Sequence, residues 1–258
     1  MPGAAGPPWP IRIGCAGWSL SRSEQVDFGE GDSVLQRYAT RLPMVEINSS
    51  FYRLHVAGTY ARWAASVPEY FRFAVKMPRS ISHEQRLRDA MQPLEQFLAG
   101  VRALGKKLGP LLLQLPPSLA YDRATTERFL QGLRARSELD VACEPRHPSW
   151  FTTEVDALLS AHRVARVAAD PARVPGAAIP GGDRTWSYWR WHGQPQIYRS
   201  AYSEQVLAGL ARELQLESDA RRSVWFVLDN TALGHAARNA LRLQALLQQG
   251  LLQQGLQA

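Results

Sequence analysis

Val141-Ala-Cys-Glu144-Pro-Arg146-His147-Pro-Ser149-Trp150 is a short apolar run that stops at a carboxylate and leaves into a polar, Pro-containing loop. A run this short, bounded by turn residues, suits a buried strand better than a helix. Seven other segments have the same form, at residues 11–15, 44–46, 73–76, 111–114, 164–170, 188–192 and 224–229. Most of them stop at a charged, titratable or amide side chain: Glu46, Lys76, Gln114, Asp170, His192 and Asp229. Stretches with 3.6-residue periodicity separate most of these runs, at 33–41, 59–66, 93–106, 125–134, 153–161, 203–216 and 235–249. Thr59 is placed to cap the second of them. The expected fold is therefore α/β, a single (β/α)8 TIM barrel with eight parallel strands. Residues 171–184 are rich in Pro and Gly and show no helical pattern, so the crossover between strands 6 and 7 is expected to be irregular. In barrels of this kind the strand C-termini line the active site, so the polar strand ends mark where chemistry would occur.

The chain's 258 residues fit one such barrel, which typically takes about 250. The expected division is a flexible Pro/Gly/Ala-rich segment at 1–10, one domain at 11–249 and a Leu/Gln-rich tail at 250–258. No apolar stretch approaches the roughly 20 residues that span a bilayer, and residues 1–10 lack the apolar region of a secretory signal. A cytoplasmic location and no membrane partner are expected. Cys15 and Cys143 fall on strands 1 and 5, on opposite sides of the expected barrel, and are read as buried, reduced thiols. No C-x-x-C, H-x-H or H-E-x-x-H is present, so no local zinc motif exists. The net charge of +7 and pI near 9.8 favour phosphate-bearing partners, but no Lys/Arg run marks a nucleic-acid arm. The excess is almost wholly arginine; the lysines are Lys76, Lys106 and Lys107.

Residues two apart on a strand share a face, which pairs Glu46 with Asn48 and Arg190 with His192. The candidate catalytic groups are Glu46, Lys76, Glu144, Asp170, His192 and Asp229. The candidate ligand contacts are Trp18, Asn48, Tyr52, His83, Gln114, Arg146, His147, Arg190, Tyr198, Tyr202 and Asn230. Arg190, a permanently charged fork on a rigid strand, is the expected grip for an anion. Gly193 would let the backbone beside His192 approach a ligand. Glu144 is expected to serve function more than stability, so that Glu144→Gln would preserve or raise thermal stability. Structural alternatives stand beside these roles. Glu46 could pair with Lys76 and merely tie two strands, His83 could be a surface or capping residue, His147 could orient its loop, and Phe51 and Trp150 could pack loops down. A Schiff-base role for Lys76 needs a desolvated amine, whereas adjacent acids favour the ammonium. Glu144, Asp170, His192 and Asp229 could converge on a divalent metal that activates water, but no metal set or cofactor is fixed by the residues.

Glu46-Ile-Asn48-Ser-Ser-Phe51-Tyr52, the Glu144–Trp150 segment, Arg190-Trp-His192-Gly193, and Asp229-Asn230 followed by Asn239-Ala240 together resemble the YecE-like family, domain-of-unknown-function family 72. The resemblance runs from Ile11 to about Leu247. Leu20 and Leu228 depart from it where aromatics are usual, which bears on pocket shape rather than chemistry. The resemblance implies a TIM barrel, with a fold-level likeness to metal-dependent nucleases of the endonuclease IV kind, and no settled activity. The leading expectation is an enzyme acting on a phosphate-bearing ligand, nucleic acid included, by acid/base or metal-assisted hydrolysis. The alternatives are an enzyme acting on a sugar or other small polar metabolite, and a non-catalytic binding barrel. A basic groove open across the mouth would favour nucleic acid, and an enclosed pocket a metabolite.

Overall fold

The computed structural model describes residues 11–255, with side chains to residue 250. The expected flexible segment 1–10 and the last three residues of the expected tail lie outside the described residues. Strands and helices alternate as β1 Ile11–Cys15, α1 Val34–Ala39, β2 Met44–Ile47, α2 Ala57–Ala65, β3 Arg72–Lys76, α3 Met91–Val101, β4 Leu108–Gln114, α4 Arg123–Arg134, β5 Val141–Glu144 and α5 Thr153–Ala161. They continue as β6 Val164–Arg166, β7 Ala168–Asp170, β8 Gly181–Gly182, β9 Trp186–Trp191, α6 Glu204–Asp219, β10 Ser223–Leu228 and α7 His235–Gly255. Local chemistry sets most helix starts. Ser33, Asp122, Thr152 and Ser203 each accept a bond from a first-turn backbone N–H of α1, α4, α5 and α6.

Three helix expectations need correction. Helix α2 starts at Ala57 without a side-chain cap, and Thr59 instead accepts from Arg62 inside the helix. Helix α3 ends at Val101 and tightens into a 3-10 turn, Arg102–Lys107, that breaks at Gly105, where φ is 57°. Helix α7 runs to Gly255, past the expected boundary at 249.

The strands pair as two sheets. In one, β2, β3, β4, β5 and β6 run parallel, with β8 antiparallel on the edge of β6; in the other, β1, β10, β9 and β7 run parallel. This differs from the single eight-stranded ring expected. The expected strand 164–170 divides at Val167, whose N–H donates to Cys143 O of β5 (2.8 Å) while β7 pairs with β9. The irregular crossover that follows is held by buried Arg166. Its guanidinium bonds Asp156 (2.7 and 3.0 Å) and Gly176 O (2.7 Å), so the segment is tied down by polar contacts rather than by a packed helix. At the other junction a single bridge joins Ala16 to Glu46. The chains approach so closely there that a Cβ on Gly14 would lie 2.1 Å from Met44 O.

Alternation along the strands divides the core in two. Val45, Phe73, Val75, Leu111, Leu113, Val141, Cys143 and Phe226 pack with the helices, among them Leu94, Phe97, Leu130 and Leu133. Met44, Ala74, Leu112, Ala142, Ala165, Tyr188, Trp225 and Val227 form a second cluster on the opposite strand face. Each large side chain buried this way contributes about 1.5–3 kcal/mol. Both cysteines are unpaired and buried, and desolvation pushes the Cys15 thiol up to about 12. Period two carries the inner face onward: two residues past Met44, Ala74, Leu112, Ala142, Tyr188 and Val227 come Glu46, Lys76, Gln114, Glu144, Arg190 and Asp229.

Candidate functional site

Where those side chains meet, Arg190 sits fully buried among three carboxylates. Nε and Nη2 hold Glu46 side-on (3.0 and 2.8 Å), Nη1 donates to Glu144 Oε2 (2.7 Å), and Nη2 also reaches Asp229 Oδ2 (3.0 Å). Tyr188, two residues earlier on the same face of β9, donates its hydroxyl to Glu46 (2.8 Å). Gln114 donates to Glu144 Oε2 (2.8 Å). The five strand-end groups Glu46, Lys76, Glu144, Arg190 and Asp229 are thus gathered at the C-terminal ends of parallel strands. Burial alone would lower the pKa of the guanidinium, but Glu46, Glu144 and Asp229 reverse this and hold it well above its ordinary value.

This placement corrects the role expected of Arg190. It is 0% exposed and its donors are taken by protein carboxylates, so it organises the cluster instead of gripping an anion. It also argues against the stability gain expected of Glu144→Gln, since Glu144 carries bonds from Arg190, Gln114, His192 and Arg146. The suggested Glu46–Lys76 pair is not formed; Glu46 belongs to Arg190 and Tyr188.

His192, one residue beyond β9, bridges two of the acids, with Nδ1 3.0 Å from Asp229 Oδ2 and Nε2 3.1 Å from Glu144 Oε1. Burial would lower its pKa, but Glu144 and then Asp229 outweigh that and raise it, favouring the imidazolium. For Glu144 and Asp229 burial would raise the pKa, yet Arg190 and His192 prevail and depress both, Glu144 strongly. The signs give opposite pH limbs. The His192 contribution to stability is fully present below about pH 6.5 and is lost as pH rises through its raised folded value. That of Glu144 and Asp229 is present above about pH 4.5 and is lost as pH falls through their depressed values. Melting temperature followed across this range should fall at both ends, and His192→Gln should flatten the alkaline limb; an alkaline limb identical in that variant would contradict the assignment.

The four groups suggested for a divalent metal do not meet. Both His192 nitrogens face carboxylates, and Arg190 fills the space between Glu144 and Asp229. Asp170 lies apart, accepting from Tyr202 (2.6 Å) and from Gln194. Among the described residues no group of three or more His, Cys, Asp or Glu is arranged to hold a metal.

The cavity side of the cluster is built from residues that sequence reasoning named and others that it did not. A cavity of about 160 Å³ is lined by Glu144, Arg146, Arg173, His192, Ile197 and Tyr198. Arg146 reaches Glu144 Oε1 at 3.3 Å; burial would lower its pKa, but that carboxylate and then Tyr198 outweigh burial and raise it. The Tyr198 ring stands perpendicular to His192 (5.7 Å between centroids). Arg173 was missed; it sits in the Pro-rich crossover, where no period pointed to a face. Tyr188 was missed too, although its offset of two from Arg190 was legible. A larger hollow of about 470 Å³ lies between α6 and α7 and contains none of the cluster residues, so chemistry favours the smaller one.

Other candidates are braces. Tyr202 is buried, donating to Asp170 and accepting from Gly193 N (2.8 Å), while Asn230 donates to Ser200 O and Asn239 (3.0 Å each). Gly193 has φ 97°, and a Cβ there would sit 2.9 Å from Ser200 O, so its freedom serves the turn rather than a ligand. His147 accepts from Ser149 N and caps the turn Pro148–Trp150. Trp150 is buried and donates to Leu119 O (2.8 Å). Trp18 packs on Trp63 (5.1 Å), Tyr52 is exposed, and Asn48 is half-buried with no partner for Oδ1 among the described residues. His83 is half-buried, with Nδ1 on Ser82 Oγ (2.8 Å) and its ring edge-on to Phe51 (4.9 Å). Burial first, then Lys76 and Arg146, keep it neutral.

Comparison with known proteins agrees with this layout. Over residues 12–257 the chain matches the model for "Protein of unknown function DUF72". It is 22% identical to UPF0759 protein YunF of Bacillus subtilis, covering 92% of this chain and 94% of YunF. Against UPF0759 protein YecE of Escherichia coli it is 30% identical, with 55% of this chain and 50% of YecE covered. A crystal structure of a DUF72 family protein from Thermotoga maritima superposes with a TM-score of 0.78 at 25% identity, covering 92% and 99% of the two chains. More distantly, D-allulose 3-epimerase from Methylomonas sp. shares the TIM-barrel-like fold alone, with a TM-score of 0.52 at 12% identity over 95% and 99% of the chains. Among the described residues no helix is long and apolar enough to cross a membrane. With a family model matched over nearly its whole length, this chain belongs to the DUF72 family.

Proposed function

We infer that the protein binds a small phosphate-bearing metabolite in the cavity beside Glu144 and acts on it by acid/base chemistry. The observation that carries this is the charge balance. The carboxylates Glu46, Glu144 and Asp229 meet a larger set of cations: Arg190, Arg146, Lys76 and His192, which the acids hold as imidazolium. Arg173 on the cavity wall adds to the excess. An anion completes such a site, and Arg146 with Arg173 are the guanidinium groups able to reach it. In this reading the proton passes from His192 Nε2 to the ligand by way of Glu144 Oε1, which it bonds and whose residue lines the cavity. A recess of about 160 Å³ suits one small anionic group better than a nucleic-acid backbone, which needs an open basic groove. The two sheets, meeting at the Ala16–Glu46 bridge and at Val167, are read as one barrel ring around this mouth.

Titration calorimetry with inorganic phosphate tests the reading. The protein should bind it, and Arg146→Met should weaken binding about tenfold or more, as loss of a charge-assisted bond worth roughly 1.5–3 kcal/mol requires. Equal affinity in the folded variant would remove Arg146 from the site.

A further inference from the structure

We propose that Lys76 is a nucleophilic amine that condenses with a carbonyl carbon of the bound anion, so that the ligand class is a phosphorylated aldehyde or ketone. The proposal rests on the anion-site reading above and adds the reacting atom. The argument against such a role was that neighbouring acids would hold the lysine as an ammonium. The structure removes it. Glu46, Glu144 and Asp229 are already engaged by Arg190, His192 and Arg146, and Lys76 makes no ion pair with any of them. Its Nζ lies instead over the face of Phe51, 4.2 Å from the ring centroid, in a nearly buried position. His83 packs at a steep angle to the same ring (82° between planes) and has no hydrogen-bond partner for Nε2 among the described residues. After burial, the charges of Lys76 and Arg146 lower the pKa of that imidazole, which favours the neutral base.

Electrostatics points the same way. Burial first, then Arg190, lower the Lys76 ammonium to about 8, against the opposing pull of Glu46, Glu144 and Asp229. About a tenth of it is therefore free amine at pH 7. Composition adds a second line. Lys76 is one of only three lysines among 30 basic residues, and Lys107 is tied to the carbonyls of Ala64 and Val67 (2.7 Å each). An arginine could supply charge at position 76, but a guanidinium cannot form an imine.

The step is balanced without a redox partner. The amine nitrogen forms a bond to the carbonyl carbon, the carbonyl π pair moves to oxygen, and the ammonium proton passes to that oxygen through His83. The carbinolamine C–O bond then breaks, a second proton leaves nitrogen, and one water is released as the imine forms.

Glycolaldehyde phosphate followed by cyanoborohydride, whose hydride reduces the imine to a secondary amine, tests this on the full chain by peptide mapping. Exposed Lys106 is the internal reference. Labelling of Lys76 at least tenfold faster than Lys106 at neutral pH, with a rate rising through about pH 8 rather than near the ordinary lysine value of about 10.4, is expected. Lys76 labelling that is no faster than, or rises together with, that of Lys106 overturns the imine while leaving phosphate binding by calorimetry as a separate result. If neutral glycolaldehyde labels Lys76 equally well and inorganic phosphate does not compete, the amine chemistry stands and the anion reading falls. Lys76→Arg, which keeps the charge but cannot form an imine, should lose the fast-labelled peptide; a fast label persisting in that variant overturns the assignment to Lys76.

Discussion

Arg190→Met is expected to lower the stability of the protein by about 3–5 kcal/mol at neutral pH, the cost of leaving buried charges without their partner. For a chain of this size that is a fall of roughly 6–20 °C in melting temperature. The side chain is replaced by one of similar length, so the effect is electrostatic more than steric. Glu46, Glu144 and Asp229 would then face one another across the space that the guanidinium filled, with His192 still bonded to the last two and Arg146 to Glu144. Like charges confined in this way take up protons, which raises their folded pKa values above the unfolded ones. The sign of the pH dependence therefore reverses. The wild-type protein loses the carboxylate contribution as pH falls, whereas the variant should regain stability between about pH 7 and 5. Arg190→Lys should fall between the two, because a point-like ammonium cannot hold Glu46 side-on and still reach Glu144 and Asp229. Urea unfolding at two pH values is sufficient. A variant as stable as the wild type, with the same pH slope, would mean that the carboxylates find other partners and that the cage is not organised by Arg190.

Glu144→Gln is the second large effect, with the opposite sign to the one expected from the sequence. Oε2 accepts from Arg190 (2.7 Å) and Gln114 (2.8 Å), and Oε1 from His192 (3.1 Å) and Arg146 (3.3 Å). An amide replaces one of these acceptors with a donor, so in either orientation an N–H must face a cation. The least costly arrangement keeps oxygen toward Arg190 and turns the amide toward a deprotonated His192, releasing Arg146. A loss of about 3 kcal/mol follows, roughly 6–12 °C in melting temperature. His192 should titrate lower than in the wild type, because the carboxylate that most strongly raises it has gone. Nitrogen-detected NMR of the imidazole reads that shift directly. An unchanged melting temperature together with an unchanged His192 titration would show that Glu144 does not hold the histidine.

The two effects explain which parts of the site were legible. The alternation of apolar runs with helical periods is a local property, and it placed Glu46, Lys76, Gln114, Glu144, Arg190 and Asp229 at strand ends without knowledge of the fold. Cap residues such as Ser33, Asp122, Thr152 and Ser203 act within one turn, and the helix starts follow from them. Tyr188 was equally available, two residues before Arg190 on the same strand. Asp170 shows the limit of the same logic. It ends a strand like the others, yet β7 pairs with β9 and its carboxylate accepts from Tyr202, 32 positions away, outside the cluster.

What the sequence determined by itself was the strand-helix alternation, the polar strand ends and the apolar layer beneath them, because side-chain direction in a strand repeats every two residues. Only the tertiary structure decided that Arg190 meets Glu46 across 144 positions, that the acids are thereby spent on protein cations, and that Lys76 is left beside Phe51 without one. A carboxylate pairs with whichever donor can reach it once desolvated, and that choice depends on distances between distant segments, which no local period encodes.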